Sequence, residues 1–262
     1  MFEQAKFEVV EKKIVTIDGT SVDRKAIIRP DTGVVLGVVR PDYKLIRHVD
    51  VLNNFEIALK DLATEDKVSL CRGGSLMFAR FNFKDNAIPK EELKKGDVIG
   101  FGLEAFNSYD GSLPVGFALS ALRLVCTNGM TVPKSLVRLS VRHTANAHIN
   151  GLRELVMGKV EKFKESLTIW RRWTQTQITE DNSVKFIQDA FGKRQSKNLE
   201  ELYKTQRVKD QDTTVWGLYN TLTYYNSHQT KVRKGNESNI RIAQWMFDEK
   251  AMSKFYAAFG KN

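Results

Sequence analysis

Apolar and polar positions divide the chain into two regimes. Up to about residue 149 they alternate as in strands, with one early exception. From about residue 150 they recur at helical spacing. The segment EVVEKKIVTI (8–17) is rich in β-branched residues and predicts a strand. RKAIIRP and GVVLGVV flank the turn signal Pro30-Asp31-Thr32-Gly33 and predict a hairpin. Asp50 is placed to cap a helix in which Val51, Leu52, Phe55, Leu59 and Leu62 share one face. KVSLCRGGSLMFARFNF predicts a second hairpin around Gly73 and Gly74, and PKEELKKGD reads as a charged, exposed connection.

A third hairpin is specified in more detail. VIGFGLEAFNSY (98–109) meets Asp110-Gly111, a two-residue turn signal, and returns through SLPVGFALSALRLVC. With Asp110 and Gly111 as the whole loop, opposed residue numbers sum to 221. One face then holds Ile99, Phe101, Leu103, Ala118, Leu122, Leu124 and Cys126. The other holds Glu104, Phe106, Phe117, Arg123, Gly100 and Gly102, and is expected to be partly open because it carries the charges.

In the second half, Leu152, Leu155, Val156, Val160, Phe163, Leu167 and Trp170 form one apolar stripe. SVKFIQDAF, LEELYKTQ, TTVWGLYNTLTYYN and NIRIAQWMFD continue the helical pattern, and SHQTKVRKGNES reads as a basic loop. A strand-rich half followed by a helical half predicts an α+β fold. The expected division is a hairpin-rich body over 1–149 with one early helix, and a helical region over 150–262 packed on the same core. Trp170, Trp173, Trp216 and Trp245 are expected in the core or an interface.

Charge adds a direction to this frame. The chain of 262 residues carries a net +10, and nearly all of the excess lies beyond residue 100. No acid occurs between Asp110 and Glu154, whereas Arg123, Lys134, Arg138, Arg142 and Arg153 all do. Such a stretch is either a solvated basic face or a footprint for a polyanion. The N-terminal MFEQAKFEVVEKK has early acids and no apolar run, so no secretory signal is expected. The longest uncharged run, 111–122, is far short of the roughly 20 residues a membrane span needs. A cytoplasmic protein with reduced thiols at Cys71 and Cys126 is the resulting expectation.

Several stretches together resemble a known family. LGVVRPDYKLI, GGSLMFARFNF, NSYDGSLPVGFALSALRLVCTNGM and SVRHTANAH occur in the order seen in phage/plasmid-like proteins of domain-of-unknown-function family 932. TTVWGLYNTLTYYNSH resembles that family's C-terminal helix. The most specific parts are Asn107–Ser108–x–Asp110–Gly111, Arg123–x–x–Cys126–x–Asn128 and Arg142–His143–Thr144. The resemblance implies no catalytic residue. It implies a setting in phage or mobile-element genes, beside replication and recombination functions.

Three kinds of function remain open. The first is sequence-tolerant binding of single-stranded nucleic acid, extending to strand annealing. Its phosphate contacts would come from Arg123, Lys134, Arg138, Arg142 and His143, extended by Arg171, Arg172, Lys231, Arg233 and Lys234. Phe106, Tyr109 and Phe117 are the candidates for stacking on bases, unless they lie under a helix as core. No cofactor is expected; the second kind is enzymatic. Cys126 with His143 and Asn128 could form a thiol site, and Glu104 with Asp110 a metal-dependent nuclease. Cys126 as a small hydrophobe, and Asp110 as a turn residue, are the plainer readings. The third is a homo-oligomeric partner-binding protein, its interface formed by Tyr219, Tyr224, Tyr225, Trp245, Phe255 and Tyr256.

Overall fold

A computed structural model describes residues 3–123, 128–130, 138–144, 151–210, 212–229, 247 and 250–260, with backbone alone at 122, 123, 128–130, 208–210 and 229. Its first half builds two antiparallel sheets. The smaller contains β1 (Val10–Val15), β2 (Ser21–Arg29) and β3 (Val34–Val39), in that order. The turn between β2 and β3 places Gly33 at φ 68°, where glycine carries no Cβ penalty. The larger has the order β10-β8-β7-β5-β4. Its strands are β4 (Ala63–Cys71), β5 (Leu76–Phe83), β7 (Asp97–Ser108), β8 (Val115–Arg123) and β10 (Arg138–Val141). β6 (Glu91–Lys94) pairs with the start of β7, and β9 (Asn128–Met130) with the end of β8.

Helix α1 (His48–Leu59) lies between the two sheets in sequence. The second half supplies α2 (Leu152–Gln175), α3 (Glu180–Ala190), α4 (Lys193–Asp210) and α5 (Val215–Tyr224), followed by a helical stretch over 250–259. This is the α+β fold that the two regimes of periodicity predict. One core joins both halves. It holds Phe55 and Leu59 of α1, Phe81, Phe101, Leu103 and Phe117 of the sheet, and Phe163, Trp170, Trp173, Trp216 and Phe255 of the helices. Each buried indole is anchored by its N–H. Trp170 Nε1 donates to the Tyr256 hydroxyl at 2.6 Å, Trp173 Nε1 to the Phe259 carbonyl at 2.8 Å, and Trp216 Nε1 to the Asp97 carboxylate at 2.8 Å.

Four expectations need correction. PKEELKKGD is not merely an exposed connection: it contains β6, whose Leu93 is buried, and ends on buried Asp97. Asp50 does not cap α1. The N-cap is Arg47, and Asp50 sits in the first turn, paired with the Arg47 guanidinium at 2.8 Å. Leu155 lies off the buried stripe of α2 and is exposed. The C-terminal aromatics Tyr219, Tyr225, Phe255 and Tyr256 are buried within this chain, so they offer no surface to a second subunit. Trp245 lies outside the described residues.

The third hairpin is corrected in register. Opposed residues sum to 222, as in Phe106 with Gly116 and Ile99 with Arg123, so the loop is longer than Asp110-Gly111. It spans 109–114 and is closed by side chains. The Ser108 hydroxyl donates to the Leu113 carbonyl at 2.6 Å and accepts from its N–H at 3.1 Å, while Asp110 accepts from the Ser112 N–H at 2.9 Å. Pro114 has no N–H to pair, which delays the start of β8 to Val115. A one-residue slip exchanges the faces of a strand. Phe117 therefore stands on the core face with Leu119 and Ala121, against the Phe55 ring, and Ala118 and Ser120 turn to the other side.

Gly116 is where the edge strand β10 comes closest. A Cβ there would collide with the Leu139 carbonyl oxygen and lie 2.8 Å from Ser140 Cα. Gly116→Ala is expected to pry β10 from β8 and destabilise the fold by about 1–3 kcal/mol. Urea unfolding checks the energy. Amide exchange checks the place: protection should fall at 138–141 and persist at 76–83.

Candidate nucleic-acid interface

The two faces of the large sheet differ in chemistry. Val68, Ala79, Ala105 and Phe117 oppose one another on the core face. On the other face runs a cross-strand row: Lys67 opposite Arg80, Arg80 opposite Glu104, Glu104 opposite Ala118, and Ala118 opposite Arg138. Five adjacent strands at about 4.8 Å spacing make the row about 19 Å long. Asn82, Ser120 and Ser140 flank it, and most of its members are half-buried. Asp66, at a bulge in β4, reaches the Arg80 guanidinium at 3.7 Å. The Arg138 guanidinium lies 4.7 Å over the Phe106 ring, a cation–π contact that holds it flat against the sheet. Arg142 follows β10 at a spacing of four residues from Arg138. It is exposed and makes no ion pair among the described residues.

Other sequence candidates are placed elsewhere. The Arg171 guanidinium is neutralised by Glu91 at 2.7 Å. Arg172 donates to the Phe259 carbonyl at 3.2 Å and so anchors the C-terminal helical stretch. Arg153, from the same acid-free segment, is held by both oxygens of Asp61 at 2.6 and 2.8 Å. His143 is no phosphate ligand. It is buried, stacked on Tyr43 at 4.6 Å, and desolvation lowers its pKa, which favours the neutral ring. Arg123 pairs with Ile99 and Asn128 through its backbone, and its side chain lies outside the described residues. Lys134, Lys231, Arg233, Lys234 and Cys126 lie outside the described residues.

The stacking candidates are corrected outright. Phe106, Tyr109 and Phe117 are each 0% exposed. Phe117 belongs to the main core. Phe106 packs with Cys71, Leu76 and Phe78 on the opposite face, and Tyr109 packs with Val9 and with Ile27, Leu36 and Val39 of the small sheet. None presents a ring to a base.

Tyr109 introduces a feature that sequence reasoning missed. His48, at the start of α1, is fully buried and stacked on Tyr109 at 3.8 Å. Its backbone N–H donates to the Tyr109 hydroxyl at 2.8 Å. Its Nε2 lies 2.9 Å from the Gly74 carbonyl, which can only accept, so Nε2 carries the proton. Nδ1 then accepts from Asn107 Nδ2 at 3.0 Å, and the same amide donates to the Ile46 carbonyl at 2.8 Å. Around this node, Tyr43 donates to the Ser108 carbonyl at 2.6 Å and Ser75 donates to the Leu36 carbonyl. Arg72 pairs with Asp110 at 3.0 Å, and His143 Nδ1 sits 3.0 Å from the Lys44 carbonyl. The segments PDYK, GGS, NSYDG and RHT, distant in sequence, thus meet at one place. No local spacing announces His48.

Burial dominates the node's protonation. It pushes His48 down to about 3 and the Tyr109 hydroxyl up to about 12. Asp110 is engaged by the Ser112 N–H and Arg72, a turn role and not a metal-ligand role. Among the described residues, no cluster of three His, Cys, Asp or Glu side chains could hold a metal ion. Nor is any described helix long and apolar enough to cross a membrane.

A family model described as domain of unknown function (DUF932) matches residues 35–246. No curated protein and no solved structure matches the chain. The family match opens inside β3 and takes in every segment of the His48 node, leaving β1 and β2 before it.

The imidazole of His48 sets a pH dependence. In the unfolded chain it takes a proton below about 6.5, whereas in the folded chain it stays neutral down to about 3. Its contribution is therefore fully present above pH 6.5 and is lost as pH falls from there toward 3. Stability measured by urea unfolding should decline across that window. His48→Phe should be less stable at pH 8, because Gly74 and Asn107 lose partners, yet show a shallower decline. An unchanged slope would mean that His48 does not titrate on unfolding.

Proposed function

This chain belongs to the DUF932 family, a membership that assigns no chemistry, and we propose that it binds the phosphate backbone of single-stranded nucleic acid without sequence preference. The observation that carries this reading is the cross-strand row on the polar sheet face, with Lys67, Arg80 and Arg138, continued by Arg142 beyond the edge strand. Among the described residues, three cations stand on that face, with Arg142 beyond its edge, against two carboxylates, Glu104 and Asp66. Phosphate contacts need cations along a track and no special spacing. With Phe106, Tyr109 and Phe117 buried, base stacking contributes nothing, so the binding is electrostatic and tolerant of sequence. A flexible strand can fit its phosphates to side chains set at strand spacing more readily than a rigid duplex can. Phage or mobile-element DNA metabolism is the setting proposed for it, with strand annealing as an extension.

The test is a salt titration of binding to single- and double-stranded oligonucleotides of several sequences. About four phosphates neutralised on a single strand give a log–log slope near −3. Arg142→Glu, at an exposed position, should weaken binding to every sequence alike and flatten the slope by about 1. A salt-independent affinity, or an Arg142→Glu protein that binds as the parent does, would refute the proposal.

A further inference from the structure

A second polar site lies away from that sheet face. The tip of the β6–β7 hairpin, the end of α4 and the first turns of α5 enclose a pocket of about 270 Å³. Two of its charged walls are latched together. Lys94 Nζ reaches the Asp212 carboxylate at 2.6 Å, and Asp212 also accepts from the Thr214 N–H and hydroxyl at 3.0 and 2.6 Å. Asp97 accepts from the Trp216 indole. These carboxylates face inward and are engaged.

What remains in the lining is different. Lys95 and Arg207 contribute cations with no carboxylate partner among the described residues. The Arg207 Nη1 lies 3.3 Å from the Tyr203 hydroxyl. Asn220 is 5% exposed and lines the pocket, yet its side-chain Oδ1 is enclosed without a hydrogen-bond partner. An unpaired buried amide costs about 1–3 kcal/mol, so one kept beside a cavity calls for an explanation. Gln206 and Thr221 make the rest of the wall polar. The Tyr203 ring is buried and gives no stacking face.

We propose that this pocket binds a sugar phosphate, with the phosphate held between Arg207 and Lys95 and a sugar hydroxyl hydrogen-bonded to Asn220. Two cations without a carboxylate partner among the described residues match the −1.5 to −2 charge that a phosphate monoester carries near neutral pH, and a guanidinium fork suits its oxygens. Amide and hydroxyl walls suit a polyhydroxylated body better than an aromatic base. A pocket of this size takes a pentose, with the phosphate beside the two lining cations. The phosphorylated sugar comes either from a free metabolite or from the 5′ end of a nucleic acid. The proposal stands independently of the sheet-face reading.

Calorimetric titration of the full chain with ribose 5-phosphate, ribose and inorganic phosphate tests it. Ribose 5-phosphate should bind saturably and at least tenfold more tightly than either fragment. Arg207→Gln should lower that affinity at least tenfold. Asn220→Leu should weaken binding while raising Tm, because it removes an unpaired polar group; a purely structural asparagine would lose Tm and leave binding alone. Oligonucleotides with 5′-phosphate or 5′-hydroxyl ends identify the source: a 5′-phosphate preference points to strand ends, and indifference to a free metabolite. Absence of saturable binding, equal binding of inorganic phosphate, or unchanged affinity in Arg207→Gln overturns the site. Loss of the site with binding of 5′-hydroxyl oligonucleotides intact leaves the sheet-face reading standing, and the converse leaves the pocket.

Discussion

The register of β7 is the constraint on which the rest of the molecule depends. β7 is hydrogen-bonded along both edges and is buried on both faces for most of its length. Its odd-numbered residues Ile99, Phe101, Leu103 and Ala105 meet the helices, and its even-numbered Glu104 and Phe106 meet the far side. Because a strand alternates at every residue, one step of slip in either neighbour would put a charge into the core or a phenylalanine into water. Two close approaches hold the register. A Cβ on Gly102 would lie 2.6 Å from the Phe81 carbonyl, and Gly116 admits β10 in the same way. At the far end, the 109–114 loop locks the hairpin through Ser108 and Asp110.

That constraint also marks where sequence reading succeeds and where it stops. Periodicity identifies α2 and its stripe, the first two hairpins and the α+β division, because burying one face of an element imposes a pattern on it alone. It fails at the third hairpin by a single residue. Asp110-Gly111 is a strong local turn signal, but Ser108 and Pro114 lengthen the loop, and their effect depends on pairing that the local pattern does not contain. From that one residue follows the misplacement of Phe117 beside Phe106. β6 was missed for a related reason: its only apolar mark is Leu93, and Glu91 and Lys94 find their partners, Arg171 and Asp212, far away in sequence.

Net charge tells even less than pattern about a site. Of the cations in the basic second half, Arg153 and Arg171 are matched by Asp61 and Glu91, acids from the nearly neutral first hundred residues. Arg172 anchors a carbonyl, and Arg138 covers an aromatic ring. Arg153 and Arg171 thus join the two halves, while Arg172 and Arg138 are engaged within their own. A polyanion site has to be sought in cations that share a face and retain access to water, and such a face is visible only once the strand order is known. Lys67 and Arg80 support that point: they come from the half of the chain where charge is almost balanced.

The unpaired polar groups separate structural from ligand-directed chemistry. Asn107 and Asn220 are both asparagines with a buried oxygen that finds no partner. In Asn107 the amide nitrogen donates to Ile46 and His48, and so sets the His48 tautomer. Its orphan oxygen is the by-product of a node that ties α1, β5 and β7 together. Asn220 has no such duty, since its side chain makes no hydrogen bond among the described residues. A group that does structural work can carry an unsatisfied atom as a side effect. One that does none is left unexplained by the fold itself, and the proposed ligand supplies the partner it lacks. The pocket beside Asn220, lined also by Arg207 and Lys95, is where the proposed ligand would bind.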